Sequence, residues 1–201
     1  MATTEEDWLL EAKPREVADF IKRLNQQQRN EYDYTFSTTA HEGQLPPPGE
    51  WRTWLIMAGR GFGKTRAGAE WVREIAEADP TARIALVAAS LGEARRVMVE
   101  GESGLLAIAP PRNRPAYEPS KRQLTWPRGA SATLYSAGEP ESLRGPQHSH
   151  AWCDEIAKWE SAAGKAESAW DNLLLGLRLG NAPRAVATTT PRAVPLLKRL
   201  L

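Results

Sequence analysis

The feature that most constrains the fold is a glycine-rich segment that lies between an apolar run and an amphipathic run. Ala58-Gly-Arg-Gly-Phe-Gly-Lys-Thr65 matches the phosphate-loop pattern G-x-x-x-x-G-K-[ST], with Ala58 in place of the first glycine. The apolar run over 51–58 predicts a short buried strand, and apolar residues at helical spacing predict a helix over 65–78. A strand, a phosphate loop and a helix in this order indicate an α/β fold.

The composition of this segment suits a bound phosphate. We expect the glycines at 59, 61 and 63 to adopt backbone angles that other residues resist, so that N–H groups turn inward. Lys64 would bring positive charge to the β- and γ-phosphates, and Thr65 would offer a hydroxyl to Mg²⁺. Arg60 is either a surface or phosphate-contacting arginine, or it is a γ-phosphate sensor or a cis-acting charge that stabilises the transition state. The candidate nucleotide-binding residues here are Gly59, Arg60, Gly61, Phe62, Gly63, Lys64, Thr65 and Arg66.

A second candidate site is a pair of carboxylates at the end of a predicted strand over 149–153. We expect Asp154 to hold Mg²⁺ and Glu155 to act as general base on the attacking water. Trp152 and Cys153 are predicted core residues. Two acids at a strand end are weak evidence alone, but with the phosphate loop and Lys64 they indicate an ATPase whose ligands are ATP and Mg²⁺.

The rest of the chain alternates between strand and helix patterns. Further strands are predicted over 83–90, 123–126, 130–137 and 184–189, and further helices over 5–29 and 91–99. One more helix is predicted to contain 173–179. Pro127-Arg-Gly is a predicted hairpin turn, and 110–119 is predicted irregular. These patterns predict a sandwich around a mostly parallel sheet. Residues 1–45 are interpreted as a helical extension with its connector, and 46–201 as the α/β domain.

In the predicted helix over 65–78, charged residues occupy the side opposite the apolar stripe. Those expected on a solvated face are Glu70, Arg73, Glu74 and Glu77.

Composition narrows the partners only slightly. The formal net charge is +1, which lacks the basic excess of a dedicated tight DNA binder. The single cysteine excludes an internal disulfide framework and fits a reducing cytoplasm. No apolar run is long enough to span a membrane, so we expect no membrane association.

Taken together, the motifs resemble the large terminase subunit, the DNA-packaging motor ATPase of tailed phages and gene transfer agents. The likeness lies in the segment from Gln44 to Val72, in Glu141-Ser-Leu-Arg-Gly-Pro-Gln-His148 and in the Asp154-Glu155 pair. Ala187-Thr-Thr-Thr-Pro-Arg192 continues the match in the same order. The resemblance implies an ASCE-type P-loop three-layer sandwich with an N-terminal helical extension.

The resemblance also implies roles for single residues. Arg60 matches the phosphate-loop arginine of the family, and Arg144 matches an arginine proposed to reach the nucleotide of a neighbouring subunit. Thr188, Thr189 and Thr190 match the motif that couples hydrolysis to DNA movement, and Gln44 matches the adenine-side motif. Simpler alternatives are a local ion pair for Arg144, strand-end hydroxyls for the threonines and a solvated connector for Gln44.

The implied partners are double-stranded DNA, the portal protein and the small terminase subunit. The implied assembly is a homo-oligomeric ring, with a monomer expected for an isolated domain. The family's metal-dependent nuclease domain has no counterpart in this sequence, and we expect no nuclease activity. A local basic excess, which would contact DNA or form a solvated surface, comprises Arg112, Arg114, Lys121, Arg122 and Arg128.

Two other functions are compatible with the motifs. One is a helicase-like nucleic-acid-dependent ATPase, although further helicase motifs are not found. The other is a regulatory nucleotide-binding module without useful turnover, in which hydrolysis would be slow and insensitive to Glu155→Gln.

Overall fold

The computed structural model describes residues 13–25, 34–161 and 164–201. The chain divides into two compact units, Met1–Leu45 and Pro46–Leu201. In the first unit a helix, α1, covers Pro14–Arg23, and the remainder of the helix predicted over 5–29 lies mostly outside the described residues. Two short 3-10 turns follow at Phe36–Thr38 and Glu42–Gln44.

The second unit is built on one seven-stranded sheet. In chain order the strands are β1 (Thr53–Met57), β2 (Arg83–Ala88), β3 (Ala116–Glu118), β4 (Gln123–Thr125), β5 (Ser131–Ser136), β6 (His150–Cys153) and β7 (Arg184–Thr189). Their order in space is β1-β7-β6-β2-β5-β4-β3. The first five of these in space pair in parallel, and β4 and β3 add an antiparallel edge. The sheet is therefore mixed and mostly parallel, as the sequence predicts.

Helices cover both faces of this sheet. They are α2 (Lys64–Ala78), α3 (Leu91–Glu93, continued by a π-helix over Ala94–Val99), α4 (Leu105–Ile108), α5 (Ala166–Gly176) and α6 (Pro195–Leu200). A buried cluster joins alternate residues of the central strands, such as Ala85 and Cys153, to α5 and α6. Trp152 points to the opposite face, where Gly68 of α2 packs against its indole. The three-layer arrangement is confirmed.

The central strands are apolar because both of their faces are covered. Ala85, Leu86 and Val87 of β2 are fully buried, as are Trp152 and Cys153 of β6, which confirms the prediction of core roles for the last two. Cys153 is a free thiol.

The structure differs from the predicted elements at two places. The segment predicted to be irregular contains β3, which pairs with β4 through Tyr117 and Leu124. The helix predicted to extend to residue 179 instead ends at Gly176, since the chain turns away to bridge Leu177 to His148. The His148 N–H donates to the Gly176 carbonyl at 2.9 Å, and this long-range pairing outweighs the local helical pattern.

The polar face predicted for α2 is also partly wrong. Glu70 and Arg73 are buried, with 1% and 6% of their surfaces exposed. They are tolerated there because they pair, with Arg73 Nε 2.6 Å from Glu70 Oε2. Arg73 Nη1 also lies 2.9 Å from Glu77 Oε1.

Within the described residues, no helix is both long and apolar enough to cross a membrane.

Candidate functional site

The glycine-rich segment forms the turn between β1 and α2, as predicted. Gly61 and Gly63 have φ angles of +81° and +84°, a region that only glycine enters at little cost. Ala58 and Gly59 lie outside that region, so the expectation of an unusual φ at Gly59 is wrong. The Ala58 N–H instead continues the ladder of β1 by donating to the Thr189 carbonyl at 3.1 Å. Alanine is therefore compatible with the backbone conformation at the first position of this loop.

Lys64 is the first residue of α2, and 7% of its surface is exposed. Its Nζ donates to the carbonyl oxygens of Ala58 and Gly59, each at 3.0 Å. The same Nζ lies 3.6 Å from Glu155 Oε1. The ammonium is thus held between the loop and the acidic pair, and it can carry positive charge to an anion bound there.

The other predicted residues of the loop are distributed around this point. Arg60 and Gly61 are exposed, while Phe62 and Thr65 are partly exposed. Arg66 is engaged with Glu70, since its Nε donates to Glu70 Oε1 at 2.8 Å. This ion pair lies along the helix, one turn beyond the loop.

The acidic pair follows β6, and β7 lies between β6 and β1 in the sheet. The carboxyl ends of the three parallel strands therefore bring together the loop, the acidic pair and the three threonines. Asp154 is 6% exposed, and its Oδ1 accepts a 2.8 Å hydrogen bond from the Thr188 hydroxyl. Burial raises the pKa of Asp154 to about 6, and the Thr188 hydrogen bond acts in the opposite direction.

Glu155 differs from its neighbour in exposure and in backbone conformation. Its side chain is 22% exposed, so water can reach the carboxylate. Its φ of +47° is in the left-handed region, which is uncommon for a residue with a side chain. The Glu155 N–H donates to Thr188 Oγ1 at 3.3 Å, and the carboxylate contacts Thr190.

The three threonines differ in which carboxylate, if any, they contact. Thr188 is bonded to Asp154, whereas Thr189 Oγ1 accepts from the Ala157 N–H at 3.2 Å. The Thr190 N–H donates to Glu155 Oε2 at 3.2 Å. The structure therefore brings together Lys64, both acids and the threonine run.

The two remaining predicted residues, Arg144 and Gln44, each contact a residue close to them in the sequence. Arg144 is exposed over 74% of its side chain, and its Nη1 is 3.6 Å from Glu141 Oε2, itself exposed. Gln44 belongs to the first unit, where its Oε1 accepts from the His41 N–H at 3.2 Å. Their roles stay predictions.

Three features of the site were not predicted from the sequence. Lys158 contributes positive charge that favours the ionised form of Asp154, and its only signal is a position four residues further along the chain. The positive φ of Glu155 could not be predicted, because glutamate has no preference for the left-handed region. The hydroxyls of Thr188 and Thr190 reach the acids because β7 is the neighbour of β6, an order that the sequence does not state.

A buried carboxylate of this kind fits a divalent cation. Desolvation disfavours the charge of Asp154, and a metal ion at its carboxylate would offset that cost. The Thr65 hydroxyl, in the first turn of α2, supplies an oxygen donor of the kind that Mg²⁺ prefers.

Solved structures with a similar fold are phage large terminases. An arginine-to-alanine mutant of the large terminase ATPase domain of Thermus phage P74-26 matches with a TM-score of 0.56 and 16% identity, over 99% of this chain and 74% of that chain. The large terminase of the thermophilic bacteriophage D6E in complex with ADP matches with a TM-score of 0.53 and 15% identity. This match covers 80% of this chain and 37% of that chain. The same terminase in complex with ATP-γ-S matches with a TM-score of 0.54 and 13% identity, over 80% of this chain and 36% of that chain.

At these identities the likeness establishes the fold alone. No curated protein matches the sequence. The model of the family "Terminase large subunit, T4likevirus-type, N-terminal" matches residues 55–200, which is most of the chain. The matched span includes the phosphate loop, the acidic pair and the threonine run. The chain therefore belongs to the terminase large subunit family and comprises its N-terminal ATPase domain, an ATP hydrolase of DNA packaging.

Proposed function

We propose that ATP is hydrolysed at the carboxyl ends of β1, β7 and β6, with Lys64 on the phosphates and Glu155 as general base. The observation that carries this proposal is the 3.6 Å approach of Lys64 Nζ to Glu155 Oε1. This short distance supports the proposal because the charge that would bind the γ-phosphate lies beside the group that would activate water. The D6E large terminase, which was solved in complex with ADP and with ATP-γ-S, supports a nucleotide as the ligand.

In the proposed reaction the oxygen of a water molecule bonds to the γ-phosphorus. The bond between that phosphorus and the β–γ bridging oxygen breaks, and Glu155 takes a proton from the water. ADP and phosphate are the products. Glu155 suits this role because its carboxylate is reachable by solvent yet held by Thr190.

Binding of the phosphates falls to the loop and the start of α2. The N–H groups of Gly59, Gly61 and Gly63 would surround the phosphate oxygens, and the positive end of the helix dipole adds to the charge of Lys64. Thr65 and Asp154 would hold Mg²⁺, which neutralises phosphate charge when bound. Arg60 is exposed within the loop and is proposed to stabilise charge in the transition state.

The proposal also names the partners of this chain in DNA packaging. They are double-stranded DNA, the portal protein, the small terminase subunit and further copies of this chain in a ring. The proposed compartment is the bacterial or host cell cytoplasm, with a transient location at the capsid portal. In such a ring Arg144 would reach the nucleotide of the next subunit, and Gln44 would contact adenine. Thr188, Thr189 and Thr190 would couple hydrolysis to DNA movement.

A contact surface for DNA is supported by exposed cations near the antiparallel edge of the sheet. These are Arg112, Arg114, Lys121, Arg122 and Arg128. Lys121 pairs with Glu118 at 2.8 Å, and Arg128 donates to the Glu77 carbonyl at 2.6 Å. The cluster keeps a positive excess, which suits a phosphate backbone. The alternative is a solvated surface.

The proposal is tested by comparing nucleotide binding with phosphate release in two variants. Lys64→Ala removes the charge on the phosphates and is expected to weaken ATP binding about 100-fold. Glu155→Gln removes the base but keeps the shape, so binding stays within about threefold while kcat falls at least about 100-fold.

Glu139→Gln makes the same chemical change at an exposed position and serves as the control. It is expected to leave both measurements unchanged. Robust hydrolysis by the Glu155→Gln chain would contradict the assignment of the base. Slow hydrolysis that is equal in wild type and in Glu155→Gln would favour a regulatory module.

A further inference from the structure

Besides its approach to Lys64, the carboxylate of Glu155 is contacted by Thr190, the residue after β7. The Thr190 N–H donates to Glu155 Oε2 at 3.2 Å. The Thr190 hydroxyl lies 3.2 Å from Oε1 and 3.2 Å from Oε2. Both oxygens of the carboxylate therefore contact the residue that immediately follows β7.

The backbone of Glu155 is fixed as well. Its φ of +47° costs free energy for a residue with a side chain, so the surrounding contacts must impose it. One such contact is the 3.3 Å hydrogen bond from the Glu155 N–H to Thr188 Oγ1. With the main chain set by Thr188 and the carboxylate by Thr190, little freedom is left between them.

Thr189, which lies between these two threonines, makes different hydrogen bonds. Thr189 is fully buried, and its Oγ1 accepts from the Ala157 N–H at 3.2 Å and donates to the Thr190 carbonyl at 3.1 Å. Neither bond involves a carboxylate. The run of three threonines is thus divided by the alternation of the strand, and only Thr190 contacts the carboxylate of the proposed base.

We propose that Thr190 is a positioning residue, which fixes the direction in which the Glu155 carboxylate meets the attacking water. This inference rests on the proposed role of Glu155 as base. General-base catalysis requires the carboxylate within hydrogen-bond reach of the proton that it takes. A displacement of about 1 Å is enough to cost up to about 100-fold in rate. The Thr190 hydroxyl prevents such a displacement.

The test compares Thr190→Val with Thr190→Ser. Valine keeps the shape and the backbone N–H but removes the hydroxyl, whereas serine restores it. We expect Thr190→Val to lower kcat about tenfold with KM within about twofold of wild type, because the phosphates are held by other groups. Thr190→Ser should return kcat to within about threefold. A purely structural role would not give this separation between kcat and KM.

Thr125→Val is the matched control, since Thr125 is exposed on β4 and loses the same hydroxyl. Adding Thr190→Val to Glu155→Gln should cause no further loss, because the two residues act as a unit. Wild-type kcat in Thr190→Val, or equal impairment in Thr190→Ser, would overturn the proposal. Full activity of Glu155→Gln would instead overturn the proposed function.

A crystal structure of Thr190→Val gives a readout independent of turnover. The Glu155 carboxylate should move by about 1 Å or more, or should occupy several positions, while Asp154 and Thr188 stay in place. An unmoved and well-ordered carboxylate would overturn the inference even if the chain hydrolyses ATP slowly.

Discussion

At the scale of single residues, two adjacent carboxylates have surroundings that suit different tasks. Asp154 is buried against Thr188, and burial raises its pKa to about 6. Glu155 faces Lys64 and remains accessible to water. A carboxylate that is costly to ionise alone gains most from a cation, and one that solvent reaches can accept a proton from water. The proposed division between metal ligand and base follows from these surroundings.

The sequence predicts the identity of these residues better than their conformation. The phosphate-loop pattern and the Asp-Glu pair are recognisable because the chemistry needs those residue types at those positions. The contact of Thr190 with Glu155 and the φ of Glu155 depend on which strands are neighbours, and residue types alone do not specify that order.

A pH dependence of stability is expected from His148. The ring is 4% exposed, and within the described part of the chain neither ring nitrogen has a hydrogen-bond partner. Burial, together with the charge of Arg83, lowers its pKa to about 4, against 6.5 for an ordinary histidine. Between these values the unfolded chain binds more protons than the folded chain. Stability is therefore lost as the pH falls from about 6.5 towards 4.

His148→Phe is expected to remove this contribution. Between pH 7.5 and pH 5, the free energy of unfolding of the wild type should fall by about 2 kcal/mol more than that of the variant. Denaturant titrations at the two pH values measure this difference. His150, whose pKa burial also lowers to about 4, leaves the variant some acid sensitivity. Parallel pH curves for the two chains would contradict the expectation.

At the scale of elements, the site depends on the close approach of α2 to the sheet. Gly68 of α2 lies against the indole of Trp152 in β6, and a Cβ added at residue 68 would overlap that ring. Trp152 is fully buried and has no room to withdraw. The contact joins the helix that follows the phosphate loop to the strand that ends in the acidic pair.

Gly68→Ala is therefore expected to destabilise the domain, even though alanine favours a helix. The overlap should cost about 2 kcal/mol of the free energy of unfolding, measured by urea denaturation. Gly92→Ala is the control, because a Cβ at residue 92 meets only Ser90 Oγ at 3.9 Å. That variant should be as stable as wild type or about 0.5 kcal/mol more stable. Equal stability of both variants would contradict this expectation and would show that the Trp152 indole can shift to accommodate the added methyl group.

The same elements show where sequence patterns succeed and fail. The strands at 83–88 and 184–189 and the helix at 64–78 were predictable because long apolar or amphipathic periods are strong signals. The three-residue strand β3 is too short to show a period, and its strand conformation depends on pairing with β4. The burial of Glu70 and Arg73 was unpredictable because charges normally indicate a solvated face.

At the scale of the whole molecule, Arg144 is the residue proposed to link one chain to the next in the ring. Its exposure places it where a second copy of the chain can reach it, and its contact with Glu141 is between two exposed groups. Such surface pairs contribute little free energy and can open. An arginine that acts on the next subunit would be expected to have this exposure.

Mixing two inactive variants tests the role of Arg144. If it acts on a neighbour, Arg144→Ala and Glu155→Gln subunits combined under assembling conditions should recover part of the ATPase activity. Neither variant alone should be active. With assembly confirmed by sedimentation, the absence of any recovery would place Arg144 in the local ion pair instead.

The account as a whole rests on one site at the carboxyl ends of β1, β7 and β6. A crystal structure of this chain with ATP-γ-S and Mg²⁺ tests it most directly. We expect the γ-phosphate on Lys64 Nζ, the metal on Thr65 and Asp154, and the Glu155 carboxylate within one water molecule of the γ-phosphorus. A nucleotide bound elsewhere, or a Glu155 carboxylate turned away from the γ-phosphate, would contradict the account.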